Sequence, residues 1–479
     1  MTILFAATEI APLASTGGLG ETVASLPRVV SAQGHDAAVA LPGYPALLEN
    51  AEPLEVEFDV IVGDKILHAS IYDRTLPDGT QLLLIRNDTL FERSGLYCDP
   101  KNNEPFADNA ERFIFFSKAV VELAKRMDPT PAVVHAHDWQ TALVPVLIRE
   151  QALPIRTALT LHNVAFQGNF WGVDFQLTNL PQHWMSPSGL EFFGSMNLLK
   201  GGILAADALT TVSKRYREEI LNSPQGCGLE GALRSRAGDL ISVPIGVDPA
   251  RWSPSRPDAA ANLAAAFSAE DPTGKTKCRV ALLEEAGLPP DAEAPVFVML
   301  GRLADQKGFD LLLPLVPQIL STDARLIIAG DGDALLHREL LIACRRHPNK
   351  FAFLHAWQPG FPQRLMAGGD ILLMPSHFEP GGLAPLHALA YGTVPVAHAV
   401  GGLADNLTNF VPAECSGNSL LYYRDNEEAL LNAIVRGKLL FKDKPVWNKL
   451  VQNALASKFP WEKAAAALDS LYHRIVGPA

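Results

Sequence analysis

Residues 295–308 read PVFVMLGRLADQKG, and this stretch decides the fold. Pro295–Leu300 is a short apolar run with the signature of a buried strand. A polar loop from Gly301 to Gly308 follows, and Phe309–Leu320 then reads as a helix. Strand, loop and helix in that order make the repeating unit of a parallel sheet covered by helices. Arg302 and Lys307 stand at the carboxyl end of the strand, where such sheets bind ligands. Arg is a planar fork and Lys a point charge, a combination that suits a diphosphate. Two solvated cations flanking a turn fit the local sequence equally well.

The same cycle extends in both directions. Downstream, strands are expected at Arg325–Ala329, Phe351–His355, Ile371–Met374 and Val394–Ala397. Helices are expected at Leu335–Arg346, Leu383–Tyr391, Glu427–Leu440 and Trp461–Val476. Upstream, Ile3–Ala7 is a strand, and Leu19, Val23, Leu26, Val29 and Val30 form a helical stripe. Ala37–Leu41, Val56–Val62, Leu82–Ile85, residues 131–135, Thr157–Leu161 and Ala208–Val212 read as further strands. Val56–Val62 and Leu82–Ile85 are expected to be partly antiparallel strands of the sheet. Ala110–Met127 is helical. Pro249–Pro295, rich in Pro, Ala, Ser and Asp, reads as a linker, with a domain boundary near Ile241–Val247. Two α/β domains joined by a hinge would form a cleft, the default place for a ligand.

The 479 residues carry 40 Lys and Arg against 52 Asp and Glu, a net charge of −12. That balance argues against a general nucleic-acid binder but leaves room for a local basic pocket. Cys98, Cys227, Cys278, Cys344 and Cys415 are scattered and odd in number, so neither a disulfide framework nor a zinc ribbon is expected. No Lys or Arg precedes Arg28, which does not fit a secretory or transit leader. The long uncharged stretch Pro380–Ala404 is interrupted by Pro, Gly and His and makes a poor membrane span. A cytoplasmic location without membrane association is expected.

Four further segments could carry chemistry. Thr16-Gly17-Gly18-Leu19 lies between a strand and a helix, where glycines and free helix N–H groups admit an anion. A plain strand–helix turn is the blander reading. Phe378-Glu379-Pro380-Gly381-Gly382-Leu383 precedes another helix, and Glu379 could accept from sugar hydroxyls or simply sit near a helix start. His135-Ala136-His137-Asp138-Trp139-Gln140 invites a metal, because both histidines share one strand face. Too few further ligands are in view, and a buried hydrogen-bonded His135 is favoured. Asp138 and Trp139 could instead meet a sugar by hydrogen bond and stacking. His162-Asn163 closes the strand Thr157–Leu161. Neither a Gly-x-Ser-x-Gly elbow nor a Walker A loop occurs.

Taken in order, these segments resemble the bacterial glycogen synthases and plant starch synthases. The resemblance also runs through Asp108-Asn109 with Arg112-Phe113, Gln167-Gly168, Asn197 with Lys200, Thr211-Val212-Ser213 and Gly228-Leu229 with Gly231. It continues through Gly246 with Asp248, Met374-Pro375-Ser376 and Gly401-Gly402-Leu403. It implies a GT-B architecture, two doubly wound Rossmann-like α/β domains facing a deep cleft. The implied domains are 1–243 on the acceptor side, 244–458 binding the nucleotide sugar, and a helix over 459–479 crossing back to the first. The implied reaction moves glucose from ADP-glucose to the non-reducing end of an α-1,4-glucan with retention.

The resemblance further implies that Arg302 and Lys307 hold the donor diphosphate and that Gly18 lies near the distal phosphate. It gathers Glu379, Asp138 and His162 around the glucose as the catalytic set, with Arg302 and Lys307. Ser15, Gly17, Gly301, Gly381, Gly382 and Leu383 complete the donor side. Tyr97, Trp139 and Asn163 join Asp138 on the acceptor side. Cations and helix amides stabilise the leaving diphosphate, so no metal and no cofactor is expected. The partners implied are the nucleotide sugar and the glucan, and a homo-oligomer is compatible.

The chain departs from the family pattern near these residues. Ser15 stands where Lys precedes Thr-Gly-Gly-Leu, and Glu21 stands where Asp is usual. Ile245 replaces a polar residue, Gly381, Ala384 and Pro385 replace the Cys, Thr and Gln of Glu-Pro-Cys-Gly-Leu-Thr-Gln, with the Thr hydroxyl lost at Ala384, and His387 stands where Tyr is common. Three readings remain: an active glucan synthase, a retaining hexosyltransferase with another donor or a short acceptor, and a weakly active or inactive glucan-binding or regulatory paralog.

Overall fold

The computed structural model describes residues 1–255, 262–290, 293, 295–355 and 360–477. The chain divides into two compact units, Met1–Gly246 with Trp461–Ala479, and Val247–Pro460.

The first unit is built on a nine-stranded sheet. Its strands are β1 (Thr2–Ala6), β2 (Asp36–Pro42), β3 (Glu52–Val62), β4 (Lys65–Thr75), β5 (Gln81–Arg86), β6 (Val133–His137) and β7 (Arg156–Leu161). A small separate sheet holds β8 (Asn169–Phe170), β9 (Glu191–Phe192) and β10 (Ser195–Asn197). β11 (Ala208–Thr211) and β12 (Leu240–Ser242) return to the main sheet, whose order is β12-β11-β7-β6-β1-β2-β5-β4-β3. Every pair from β12 to β5 is parallel, and β4 pairs antiparallel with both β5 and β3. β1 is buried on both faces, which explains its continuous apolar run, and β6 is equally buried although it carries His135 and His137. β4 escapes the sequence reading because its alternation is blurred by Lys65, His68, Asp73 and Arg74 on a half-exposed strand next to the edge strand β3.

The second unit carries β13 (Val296–Leu300), β14 (Arg325–Ala329), β15 (Phe351–Leu354), β16 (Ile371–Met374), β17 (Val394–His398) and β18 (Leu420–Tyr422). They form one parallel sheet in the order β15-β14-β13-β16-β17-β18. The helix expected over Phe309–Leu320 is broken into Phe309–Leu312, a 3₁₀ turn at Leu313–Leu315 and Val316–Ile319. Pro314 and Pro317 lack the N–H groups that a continuous helix needs.

The expected linker Pro249–Pro295 is also corrected. It contains a helix, Thr273–Glu285, whose Cys278, Leu282 and Leu283 lie in the core of the second unit. Residues 256–261, 291, 292 and 294 of that stretch lie outside the described residues. The final helix, Glu462–Val476, belongs to the first unit and buries Ala464, Ala465, Leu468, Leu471 and Tyr472. Their spacing makes one apolar stripe, the face that a surface helix turns to a core. Among the described residues no helix is long and apolar enough to cross a membrane.

Candidate functional site

In a doubly wound sheet, ligands bind beyond the carboxyl ends of the strands where the winding reverses. In the first unit that point lies between β1 and β6. The loop after β1 carries Ser15, Gly17 and Gly18, all exposed, and the helix Gly18–Ser31 starts there without a side-chain cap. Its first N–H groups therefore have no intrahelical partner.

Glu9 holds this loop. Its buried carboxylate accepts from Thr16 N at 2.7 Å, Thr16 Oγ1 at 2.8 Å and Tyr97 Oη at 2.8 Å. Sequence reasoning missed Glu9, although a carboxylate just past a buried strand is a usable signal. Tyr97 is held from the other side too. Asn109 Nδ2 donates to its carbonyl, and the buried Arg112 donates to Leu90 O, Leu96 O and Asn109 Oδ1. Rings then run from Tyr97 through Phe113 to Trp139, at 5.8 and 5.0 Å.

Asp138 follows β6 in a left-handed backbone conformation, φ 57°, which Asp tolerates better than most residues. Its Oδ1 accepts from His162 N at 2.7 Å, joining the end of β6 to the end of β7. Burial pushes its carboxyl up to about 7. Asn163, next to His162, turns its Oδ1 back to Ala165 N.

The metal reading of the His135 cluster fails on geometry. His135 Nδ1 meets Tyr472 Oη and its Nε2 meets Thr160 Oγ1, both at 2.7 Å, so both nitrogens are occupied. His137 Nδ1 and His162 Nε2 face each other at 2.9 Å. Elsewhere among the described residues, His35, Asp469 and His473 have ligand-like spacing. A metal on His35 Nε2 would put the proton on Nδ1, which is buried without a partner. Metal-bound histidines need that N–H satisfied, so we read this group as a hydrogen-bonded contact of the final helix.

In the second unit the winding reverses between β13 and β16. The loop after β13 carries Gly301, the exposed Arg302 and the half-buried Lys307, and the loop after β16 carries Glu379 to Leu383. Lys307 Nζ donates to Glu379 Oε2 at 2.6 Å, and Ser376 Oγ donates to the same oxygen at 3.2 Å. Gln306 Nε2 donates to Phe378 O at 3.1 Å, tying the two loops by a second bond. Gly308 has φ 70°, and a Cβ there would lie 2.0 Å from Pro375 O, so no other residue fits.

Gly301 lies along the Lys307 stem. Gly381 and Gly382 precede the helix Leu383–Ala390, and Gly402 N donates to Glu379 O at 2.9 Å. Pro385 sits in the first turn of that helix, where a missing N–H costs nothing. His387 does not face a ligand loop. It stacks flat on Trp252 at 3.5 Å, and burial takes its ring down to about 3. Ile245 is likewise buried.

Residues 2–235 match the starch synthase catalytic domain, and residues 284–455 match glycosyl transferases group 1. The chain is 39% identical to a glycogen synthase of Opitutus terrae, covering 98% of this chain and 99% of that one. It is 37% identical to a glycogen synthase of Koribacter versatilis, covering 99% and 98%. The catalytic domain of starch synthase IV from Arabidopsis thaliana, solved with ADP and acarbose, matches with a TM-score of 0.91 at 26% identity over 99% of each chain. The two-unit α/β architecture is thus of the GT-B kind. Sucrose-phosphate synthase from Thermosynechococcus elongatus matches in fold alone, with a TM-score of 0.63 at 19% identity over 99% of this chain and 98% of that one.

Proposed function

Because the chain belongs to the glycogen synthase family of glycosyltransferases, we propose that it transfers glucose from ADP-glucose to the non-reducing end of an α-1,4-glucan, with retention of configuration. One observation carries this reading beyond the family: the Lys307–Glu379 pair at the reversal point of the second unit.

The chemistry of that pair suits the reaction. Breaking the glycosidic bond builds negative charge on the diphosphate and positive charge on the sugar. Lys307 uses one of its three donors on Glu379 and keeps two for phosphate oxygens. Arg302, on the same loop, adds a fork for the same group. Glu379 is held through Oε2, and among the described residues its Oε1 has no partner in the protein. That oxygen serves the sugar hydroxyls. Glu379 acts by position and charge, since front-face attack within an ion pair needs no enzyme nucleophile.

In the first unit, the open N-terminus at Gly18 favours a phosphate. Asp138 and His162 serve the transferred glucose, and Tyr97, Trp139 and Asn163 serve the acceptor. With charge stabilised by these groups, transfer requires no metal and no cofactor.

A donor screen with glycogen and short malto-oligosaccharides tests the proposal. Incorporation from ADP-glucose into glycogen is expected. Transfer from another donor, or only to short acceptors, would indicate the related hexosyltransferase. Silence with every donor would overturn the reading in favour of a binding paralog.

A further inference from the structure

The second histidine of the β6 strand has no assigned role, yet it is placed where it controls the first-unit sugar contact. His137 is fully buried, stacked on His135 at 4.6 Å and beside Phe5 at 5.9 Å. Its Nδ1 faces His162 Nε2 at 2.9 Å. Its Nε2 is buried with no hydrogen-bond partner. His162 Nδ1 has no partner in the protein among the described residues.

Proton counting decides the arrangement. Burial holds both rings far below the usual histidine range, His162 at about 3, so both are neutral at pH 7. One hydrogen therefore lies between the two facing nitrogens. If His162 supplied it, the proton of His137 would sit on Nε2, a buried N–H with no acceptor. If His137 supplies it, only a lone pair is left unpaired at Nε2. Orphaned buried donors are the rarer and costlier case.

We propose that His137 is a positioning residue that locks His162 in the tautomer with its proton on Nδ1. His162 thereby presents an N–H donor, not a lone pair, to its ligand. A sugar hydroxyl oxygen accepts from it, and a group offering only a donor is rejected. The ligand half of this inference rests on the reading of His162 as a glucose contact. The tautomer half does not. Asp138, which fixes the backbone N of His162, and His137, which fixes the ring, together leave the side chain one orientation.

The test is nitrogen-15 histidine NMR on the full chain, with His162 assigned by its loss in His162→Gln. A protonated-type Nδ1 signal and an unprotonated-type Nε2 signal are expected for His162 at pH 7. The reverse pattern, or an averaged one, would overturn the proposal. His137→Phe should release the tautomer and lower kcat/KM about tenfold. His137→Asn, whose amide nitrogen can stand at the Nδ1 position, should recover most of both. A locked His162 whose own replacement by Gln leaves transfer unchanged would uphold the lock while removing the glucose assignment. Should His137→Phe fail to fold, the wild-type spectrum and His137→Asn still decide.

Discussion

Lys307 and Glu379, 72 residues apart in sequence, form a 2.6 Å ion pair with side chains only 17% and 11% exposed. The two groups expected to serve opposite ends of the donor are thus one unit. Each fixes the other, and each keeps capacity for a ligand.

Lys307→Ala should cut transfer by at least about 100-fold, the scale for losing one charge-stabilising group. It should also lower thermal stability by about 1–3 kcal/mol, because Glu379 is left without its partner in a mostly dry site. Adding Glu379→Gln to Lys307→Ala should restore the melting temperature but not the activity. Arg302→Ala, on an exposed side chain, should lose comparable activity at little cost in stability. Unchanged turnover in both single variants would sink the diphosphate assignment.

Ser15 sits on the exposed loop after β1, with its side chain against Gly20. A Lys at this position would bring a cation to a helix N-terminus that already favours phosphate. We expect Ser15→Lys to raise initial rates with ADP-glucose severalfold, with a matching fall in donor KM. A folded variant with no gain would mean that the site is compensated from elsewhere.

Glu9 bonds both Thr16 and Tyr97, so it couples the glycine loop to the Tyr97 ring. Glu9→Gln replaces an acceptor-only group by one that must turn an NH₂ toward donors. A loss of about tenfold in kcat/KM is expected. Crystallography of the variant should find a displaced 15–18 loop. Wild-type kinetics with an unmoved loop would remove Glu9 from the site.

Asp138 gives a pH signature. Its folded-state value of about 7 lies above the ordinary 3.8, so the fold favours the protonated form. The stability from that preference is complete below about pH 4 and is lost as pH rises toward 7. Asp138→Asn should abolish this decline and gain on the wild type in denaturant titrations at pH 8 relative to pH 5. If the carboxylate receives a sugar hydroxyl, wild-type kcat/KM should rise with pH to a plateau above about 7, and the Asn variant should lack that limb. Parallel wild-type and variant profiles in both measurements would refute the assignment.

Transfer should persist fully in a chelator such as EDTA. Loss of activity that returns with magnesium or zinc would overturn the metal-free mechanism.

Much of the architecture was legible because it depends on local pattern. Apolar runs of strand length, glycine loops and helical stripes mark each unit, as in Pro295–Leu300 and the loop that follows it. The positions of Arg302, Lys307, Asp138, His162 and Glu379 at strand ends followed from the same pattern. β4 was hidden because a half-exposed strand with charged residues carries no clear period. The helix Thr273–Glu285 was hidden by a composition that reads as linker. Pro314 and Pro317 broke a helix whose apolar spacing looked continuous.

What the sequence by itself determined is the order of βα units and the residues at their carboxyl ends, since both arise from interactions a few residues apart. Only the tertiary structure decided which of these residues meet. Parallel crossover places the loops after β13 and β16 side by side and so pairs Lys307 with Glu379. The returning final helix sets Tyr472 against His135, 337 residues away. The pairing of His137 with His162 belongs to the same class. Hydrogen bonds and ion pairs act over about 3 Å, and which groups come that close is set by strand order and helix return, which no local pattern encodes.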